Sequence, residues 1–203
     1  MEKAVLFDLD GTLWHTCDVI LPVWNDILKK HKETTKQITL EEMNSYMGKT
    51  VEQIASIMLP ELTLENSVAI VKECCAEQIP SLRKTGGHLY DNLESTLEIL
   101  SKNYFLSISS AASDVYKRQK YFSDFEMSGR TNLTKGENIK LVMERNGINN
   151  ALYLGDTIGD QIAAKGAEIP FVFASYGFGT TENPEYTISS FDELPKVAEK
   201  ILG

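Results

Sequence analysis

A chain of 203 residues can bury one sizeable core and still carry a small extra domain. With 42% apolar and 24% charged residues it has an ordinary globular composition. A net charge of −9 argues against a nucleic-acid backbone or an anionic membrane as the main partner. It leaves room for a small phosphorylated metabolite, because local groups and a metal set the field inside a site. Cys17, Cys74 and Cys75 are odd in number and lack C-x-x-C spacing, so they read as reduced thiols. Met1-Glu2-Lys3 leads straight into a strand, with no signal peptide and no apolar run long enough to span a bilayer. The expected location is cytoplasmic.

Taken in chain order, Val5-Leu6-Phe7 is a short apolar run of the kind found in a buried parallel strand. Asp8 and Asp10 follow at once, two residues apart, and Gly11 permits a sharp turn. Two like charges at a buried strand end are costly unless a cation lies between them. A hard, oxygen-loving ion such as Mg²⁺ suits that place. The competing interpretation, a solvated hairpin turn, needs a second alternating run, which Leu13–Asp18 does not supply.

A long helical stretch comes next. Asp18 is expected to cap a helix with Ile20, Val23, Trp24, Ile27 and Leu28 on one face. Thr39 with Glu42 and Thr50 with Gln53 are capping boxes, the first helix stopping near Gly48 and the second at Pro60. Val51, Ile54, Ile57 and Met58 form the apolar face of that second helix. Thr63 opens a fourth helix, whose apolar side is Val68, Val71, Cys75 and Ile79. The pattern predicts an inserted helical cap over residues 15–88 and a core made of 1–14 and 89–203.

Beyond residue 88 helix and strand alternate. Helices are expected from about Asp91 (Leu93, Leu97, Leu100), over 135–146, and between the strands Ala151–Gly155 and Pro170–Ala174. Further strands are Phe105–Ile108, a short Phe125–Met127 and an edge strand Tyr186–Ile188. The fold class is therefore α/β, a Rossmann-like doubly wound parallel sheet with an inserted α-helical bundle cap.

In such a sheet ligands bind outside the carboxyl ends of the strands. Polar groups gather there: Ser110 after Phe105–Ser109, Asp156 after Ala151–Gly155, and Asp160 one turn into the next helix. Lys135 stands at a helix start. Asp156 would add an oxygen ligand for the same cation as Asp8. Asp160 would ligate directly or hold the ion's water. Singly, each has an ordinary explanation as a cap, a first-turn acid or a solvated lysine.

Phe7-Asp8-Leu9-Asp10-Gly11-Thr12-Leu13, Ser110, Lys135 and Gly155-Asp156-x-x-x-Asp160 occur in an order that resembles the haloacid-dehalogenase-like hydrolases, in the phosphoglycolate-phosphatase-like branch with a helical cap. The resemblance implies a Mg²⁺-dependent phosphatase for a small phosphate monoester. Asp8 would be the nucleophile and Asp10 the general acid/base. Asp8, Asp156 and the Asp10 carbonyl would hold Mg²⁺. Leu9, Asp10 and Gly11, through backbone N–H groups, would hold phosphoryl oxygens with Ser110 and Lys135. Lys49, on a cap loop, would meet an anionic leaving group. Asp10 argues against a dehalogenase or a phosphonate-cleaving member. The alternative, a β-phosphoglucomutase-like mutase, usually has a His about a dozen residues after the nucleophile, a place taken here by Ile20. His15, close by, reads as an exposed or capping residue.

The chain departs from the branch pattern in 109–119. Ala111-Ala112-Ser113-Asp114 follows Ser110, and Tyr121-Phe122-Ser123-Asp124 arrives roughly ten residues early, about three helical turns. The segment reads as a deletion or chimeric replacement, including an artefact of sequence assembly, and supplies a second alternative, an impaired variant that binds Mg²⁺ or phosphate without turnover.

Overall fold

The computed structural model describes residues 3–110, 120–127, 131 and 133–203. Two compact units emerge: residues 1–15 with 88–203, and residues 16–87. Of the segment 109–119, read as a deletion or chimeric replacement, residues 111–119 lie outside the described residues.

The first unit is built on a six-stranded, wholly parallel sheet. Its strands are β1 (Lys3–Phe7), β4 (Phe105–Ser110), β5 (Asp124–Met127), β6 (Asn150–Gly155), β7 (Phe171–Ala174) and β8 (Tyr186–Ile188), in the spatial order β5-β4-β1-β6-β7-β8. Central β1 is apolar on both faces, as a strand covered on both sides must be. Ala4 and Leu6 point to one face and join Ala151 and Tyr153 against α6 (Lys135–Arg145) and α7 (Ile158–Ala167). Phe7, on the other face, packs on Phe191 and edge-on to Phe122. Helices α5 (Leu93–Leu100) and α8 (Leu194–Leu202) pack together, with the 3₁₀ turn Phe191–Glu193 between them in contact. Each fully buried Leu or Phe of this core contributes about 1.5–3 kcal/mol. α8 and the 3₁₀ turn were not expected from sequence. A short antiparallel ribbon, β2 (Trp14–His15) with β3 (His88–Leu89), pairs His15 with His88, and the two imidazoles stack at 5.1 Å.

The second unit holds α1 (Cys17–Leu28), α2 (Leu40–Tyr46), α3 (Val51–Met58) and α4 (Leu64–Thr85). α4 packs against α1 and α3, and α1 against α2. Both expected capping boxes form. Asp18 does not cap α1; Thr16 takes the N-cap position and Asp18 lies in the first turn, because the helix already includes the buried Cys17. Ile57 is exposed rather than on the apolar face of α3. The buried face of α4 is Ser67, Ile70, Val71 and Cys74, rotated from the expected one; Val68, Cys75 and Ile79 are only half-buried. Ser67 tolerates burial because its hydroxyl donates to the Thr63 and Leu64 carbonyls, both at 3.1 Å. Trp24 Nε1 donates to Gln78 Oε1 at 2.7 Å, and Asn25 bonds the Ile38 backbone through both its amide nitrogen and oxygen, which secures the α1–α2 link. None of the described helices is long and apolar enough to cross a membrane.

Candidate active site

The carboxyl ends of β1 and β6 are neighbours, which brings the acids that follow them together. Asp8 leaves β1 with its N–H donating to the Leu154 carbonyl at 2.9 Å, so its position is set by the ladder itself. The chain then folds back on Leu9, whose carbonyl accepts from the Thr12, Leu13 and Trp14 N–H groups. Gly11 sits in this turn at φ +85°, a left-handed conformation that favours glycine. A methyl group there would also stand 2.2 Å from Asp156 Oδ2. Gly11 is thus required twice over, by backbone geometry and by close approach. Asp10 is half-buried, and its Oδ1 accepts from Trp14 Nε1 at 2.7 Å.

Lys135 opens α6 behind Thr134, which forms a capping box with Glu137. The Lys135 ammonium donates to Asp8 Oδ1 at 2.6 Å and to Asp160 Oδ1 at 2.5 Å. It lies 5.7 Å from the ring centroid of Tyr153, whose hydroxyl donates to the Ser109 carbonyl at 2.5 Å. Tyr153 thereby reaches from β6 past β1 to β4, under Lys135. Asp8 Oδ2 has no hydrogen-bond partner among the described residues.

Asp156 is fully buried after β6. Its Oδ2 accepts from the Phe178 N–H at 2.9 Å and the Gly179 N–H at 3.2 Å, while Oδ1 has only a long contact, 3.4 Å, with Thr12 Oγ1. A methyl group on Gly177 would stand 2.3 Å from Asp156 Cβ, so the chain after β7 packs directly on this acid. Asp160 completes the capping box of α7, whose N-cap is Thr157: its Oδ2 accepts from the Thr157 N–H, the Thr157 hydroxyl and the Asp156 N–H. With Oδ1 bound to Lys135, Asp160 serves first as a cap and a counter-ion.

Carboxylate oxygens of Asp8, Asp156 and Asp160 lie within 4.8 Å of one another, close enough to share an ion. Burial raises Asp8 to about 7, with Asp160 and Asp156 adding to the rise and Lys135 opposing it. Burial likewise raises Asp156 to about 6, reinforced by Asp160. Burial alone would lower the Lys135 ammonium, but Asp8, Tyr153 and Asp160 outweigh it and hold the ammonium well above its ordinary value. Among the described residues, the site therefore has more buried carboxylates than the Lys135 ammonium can neutralise. An all-oxygen donor set with surplus negative charge fits a hard divalent cation.

Among the expected site residues, the structure gathers Asp8, Leu9, Asp10, Gly11, Lys135, Asp156 and Asp160 in the α/β unit. Ser110 is the last residue of β4, its backbone paired with Met127. Lys49 belongs to the helical unit, where its ammonium donates to the Ser45 carbonyl at 2.5 Å. Sequence reasoning missed Thr12, Tyr153 and the Gly177-Phe178-Gly179 segment. The last was findable, because the strand-end rule that located Asp156 applies equally after Ala174.

Solved structures similar to this chain share its fold. A predicted phosphoglycolate phosphatase from Haemophilus somnus 129PT has a TM-score of 0.80 at 19% identity, with 96% of each chain covered. A predicted phosphatase from Clostridium acetobutylicum has a TM-score of 0.78 at 23% identity, covering 98% of this chain and 99% of that one. A β-phosphoglucomutase from Clostridium difficile has a TM-score of 0.73 at 18% identity, covering 99% and 97%. No curated protein gives a significant match. Residues 5–174 match the haloacid dehalogenase-like hydrolase family, a span that contains Asp8, Asp10, Lys135, Asp156 and Asp160, and the chain belongs to that family of hydrolases.

Proposed function

We propose that the protein is a Mg²⁺-dependent phosphatase that hydrolyses a small phosphate monoester, phosphoglycolate-like or a sugar phosphate, through an aspartyl-phosphate on Asp8. The observation that carries this reading is the convergence of Asp8, Asp156 and Asp160 beside the Lys135 ammonium. The similarity to a predicted phosphoglycolate phosphatase supports the substrate class, and that to a predicted phosphatase the reaction. Ile20, where the mutases carry a His, is a buried core residue of α1, which favours phosphatase over mutase. All three cysteines are free thiols, in keeping with a cytoplasmic location.

Phosphoryl transfer demands positioning and neutralisation of charge. The Asp8 carboxylate attacks phosphorus in line; its O–P bond forms as the bond to the leaving oxygen breaks. Asp10 gives that alkoxide a proton, then takes one from the water that attacks the aspartyl-phosphate, releasing inorganic phosphate and restoring Asp8. Backbone N–H groups of Leu9, Asp10 and Gly11, with Ser110 and Lys135, hold the phosphoryl oxygens. Asp8, Asp156 and the Asp10 carbonyl would hold Mg²⁺, which when bound offsets the carboxylate charge and polarises a phosphoryl oxygen. Lys49 is the helical unit's candidate for an anionic leaving group.

The test is hydrolysis of p-nitrophenyl phosphate and a panel of small phosphate monoesters by purified protein, with Mg²⁺ and with EDTA. Metal-dependent release of phosphate is expected. A folded protein that binds Mg²⁺ and turns over no monoester would overturn the reading in favour of the impaired variant suggested by 109–119.

A further inference from the structure

β6 lies between β1 and β7 in the sheet, so Asp156 is flanked by the segment after β1 and the segment after β7. The first offers Thr12 Oγ1, at 3.4 Å from Asp156 Oδ1. The second offers the Phe178 and Gly179 N–H groups, at 2.9 and 3.2 Å from Oδ2. A further bond closes the circuit between them: the Tyr176 hydroxyl donates to the Thr12 carbonyl at 2.9 Å. Tyr90 meets the Tyr176 ring edge-on, with centroids 4.7 Å apart, and so limits its swing. Burial keeps the Tyr176 phenol well above its ordinary value, so it remains an O–H donor.

We infer that Tyr176 is a positioning residue for Asp156: by bracing the two flanking segments against each other, it fixes the carboxylate in the orientation a divalent cation needs. The donors that hold Asp156 are main-chain N–H groups two and three residues beyond Tyr176, with no long side chain between to absorb a shift. Release of the hydroxyl from Thr12 lets both segments relax, and the acid between them loses its fixed direction. Gly177 makes the same point sterically, since a methyl group there would stand 2.5 Å from the Gly11 carbonyl oxygen as well as 2.3 Å from Asp156 Cβ. This inference rests on the metal-dependent reading above.

Mg²⁺ binding measured by calorimetry without substrate tests it, on wild type, Tyr176→Phe, Asp156→Asn and, as a control on the far edge strand, Tyr186→Phe. Loss of one neutral hydrogen bond predicts about three- to tenfold weaker Mg²⁺ binding for Tyr176→Phe. Asp156→Asn abolishes binding and Tyr186→Phe leaves it unchanged. Tyr176→Phe binding Mg²⁺ within about twofold of wild type, while Asp156→Asn loses it, overturns the inference. Should Tyr176→Phe fail to fold, Tyr90→Leu removes the ring that steadies Tyr176 and is expected to weaken Mg²⁺ in the same direction; unchanged affinity there overturns it equally. Wild type that binds Mg²⁺ without hydrolysing any monoester defeats the proposed function and leaves this inference to stand on the affinities. Wild type that binds no Mg²⁺ defeats both.

Discussion

The two ends of α6 carry the same kind of contact with opposite results. At its N-terminus one ammonium, Lys135, lies between Asp8 and Asp160. At its C-terminus one guanidinium, Arg145, lies between Asp124 and Glu126, at 2.6 Å from each. Yet Asp8 is raised to about 7, mainly by burial, while Asp124 is lowered, because Arg145, Asn146 and the Phe125 N–H outweigh its own burial penalty. Asp124 is met by donors on both oxygens; Asp8 has Lys135 on one oxygen and other carboxylates nearby. A structural cluster satisfies its charge, whereas a functional one leaves a surplus for a ligand to neutralise. An ion pair's presence thus says little until the remaining charges around it are counted.

The largest effect that would sharpen this contrast is on turnover. Asp8→Asn should lower phosphatase activity by at least about a thousandfold, since it removes the proposed nucleophile. Residual activity close to wild type on p-nitrophenyl phosphate would move the nucleophile elsewhere. Next in size, Lys135→Met leaves Asp8, Asp156 and Asp160 without their cation. Breaking a buried pair from one side predicts about 3–5 kcal/mol lost from the metal-free protein in urea denaturation, along with most activity. Arg145→Ala, at the other end of the helix, should cost about 1–3 kcal/mol and leave turnover near wild type. A collapse of turnover with intact folding would erase the distinction between the two ends.

Smallest, and most diagnostic, is the pH dependence of metal-free stability. Asp8 and Asp156 are raised from 3.8 to about 7 and about 6, so the folded state binds protons there more tightly than the unfolded state. Their cost is absent below pH about 4 and grows as pH rises to about 7, so stability falls over that window. The advantage of Asp8→Asn over wild type should therefore appear above pH about 4 and level off above about 7. Asp124 is lowered, so its contribution is present above pH about 4 and lost as pH falls through its lowered value. The gap between wild type and Arg145→Ala should close at acid pH. Thermal melts from pH 3 to 8 in EDTA would show both trends, and parallel curves for the two variants would refute them.

Most of the α/β unit was legible because its strands are short apolar runs between plain turn signals, as in Ala151–Gly155. Asp8, Lys135 and Asp156 were legible for a related reason: each stands where a strand ends or a helix begins. Part of what escaped depends on partners far away in sequence, and part on bonds that residue identity does not reveal. The pairing of Trp14–His15 with His88–Leu89 leaves no local pattern in two-residue strands. Ser67 is buried on α4 although polar, since its own helix satisfies it, and that turned the expected apolar face. The grip of Phe178 and Gly179 on Asp156 uses main-chain groups, which residue identity does not advertise. Sequence position marks Asp160 as an acid beside Asp156, but its bonds to Thr157 and Lys135 follow only from the folded chain.

The His15–His88 pairing has a topological consequence. Directly paired residues in an antiparallel ribbon lie about 4.5–5.5 Å apart. The chain therefore departs at Thr16 and returns at Gly87 through a doorway one residue pair wide. Residues 16–87 form a cassette: a short turn from His15 to His88 could stand in their place without changing the order of any strand in the sheet. Helical content of other lengths could be spliced at the same doorway, since the cost of closing a loop across it grows only slowly with length.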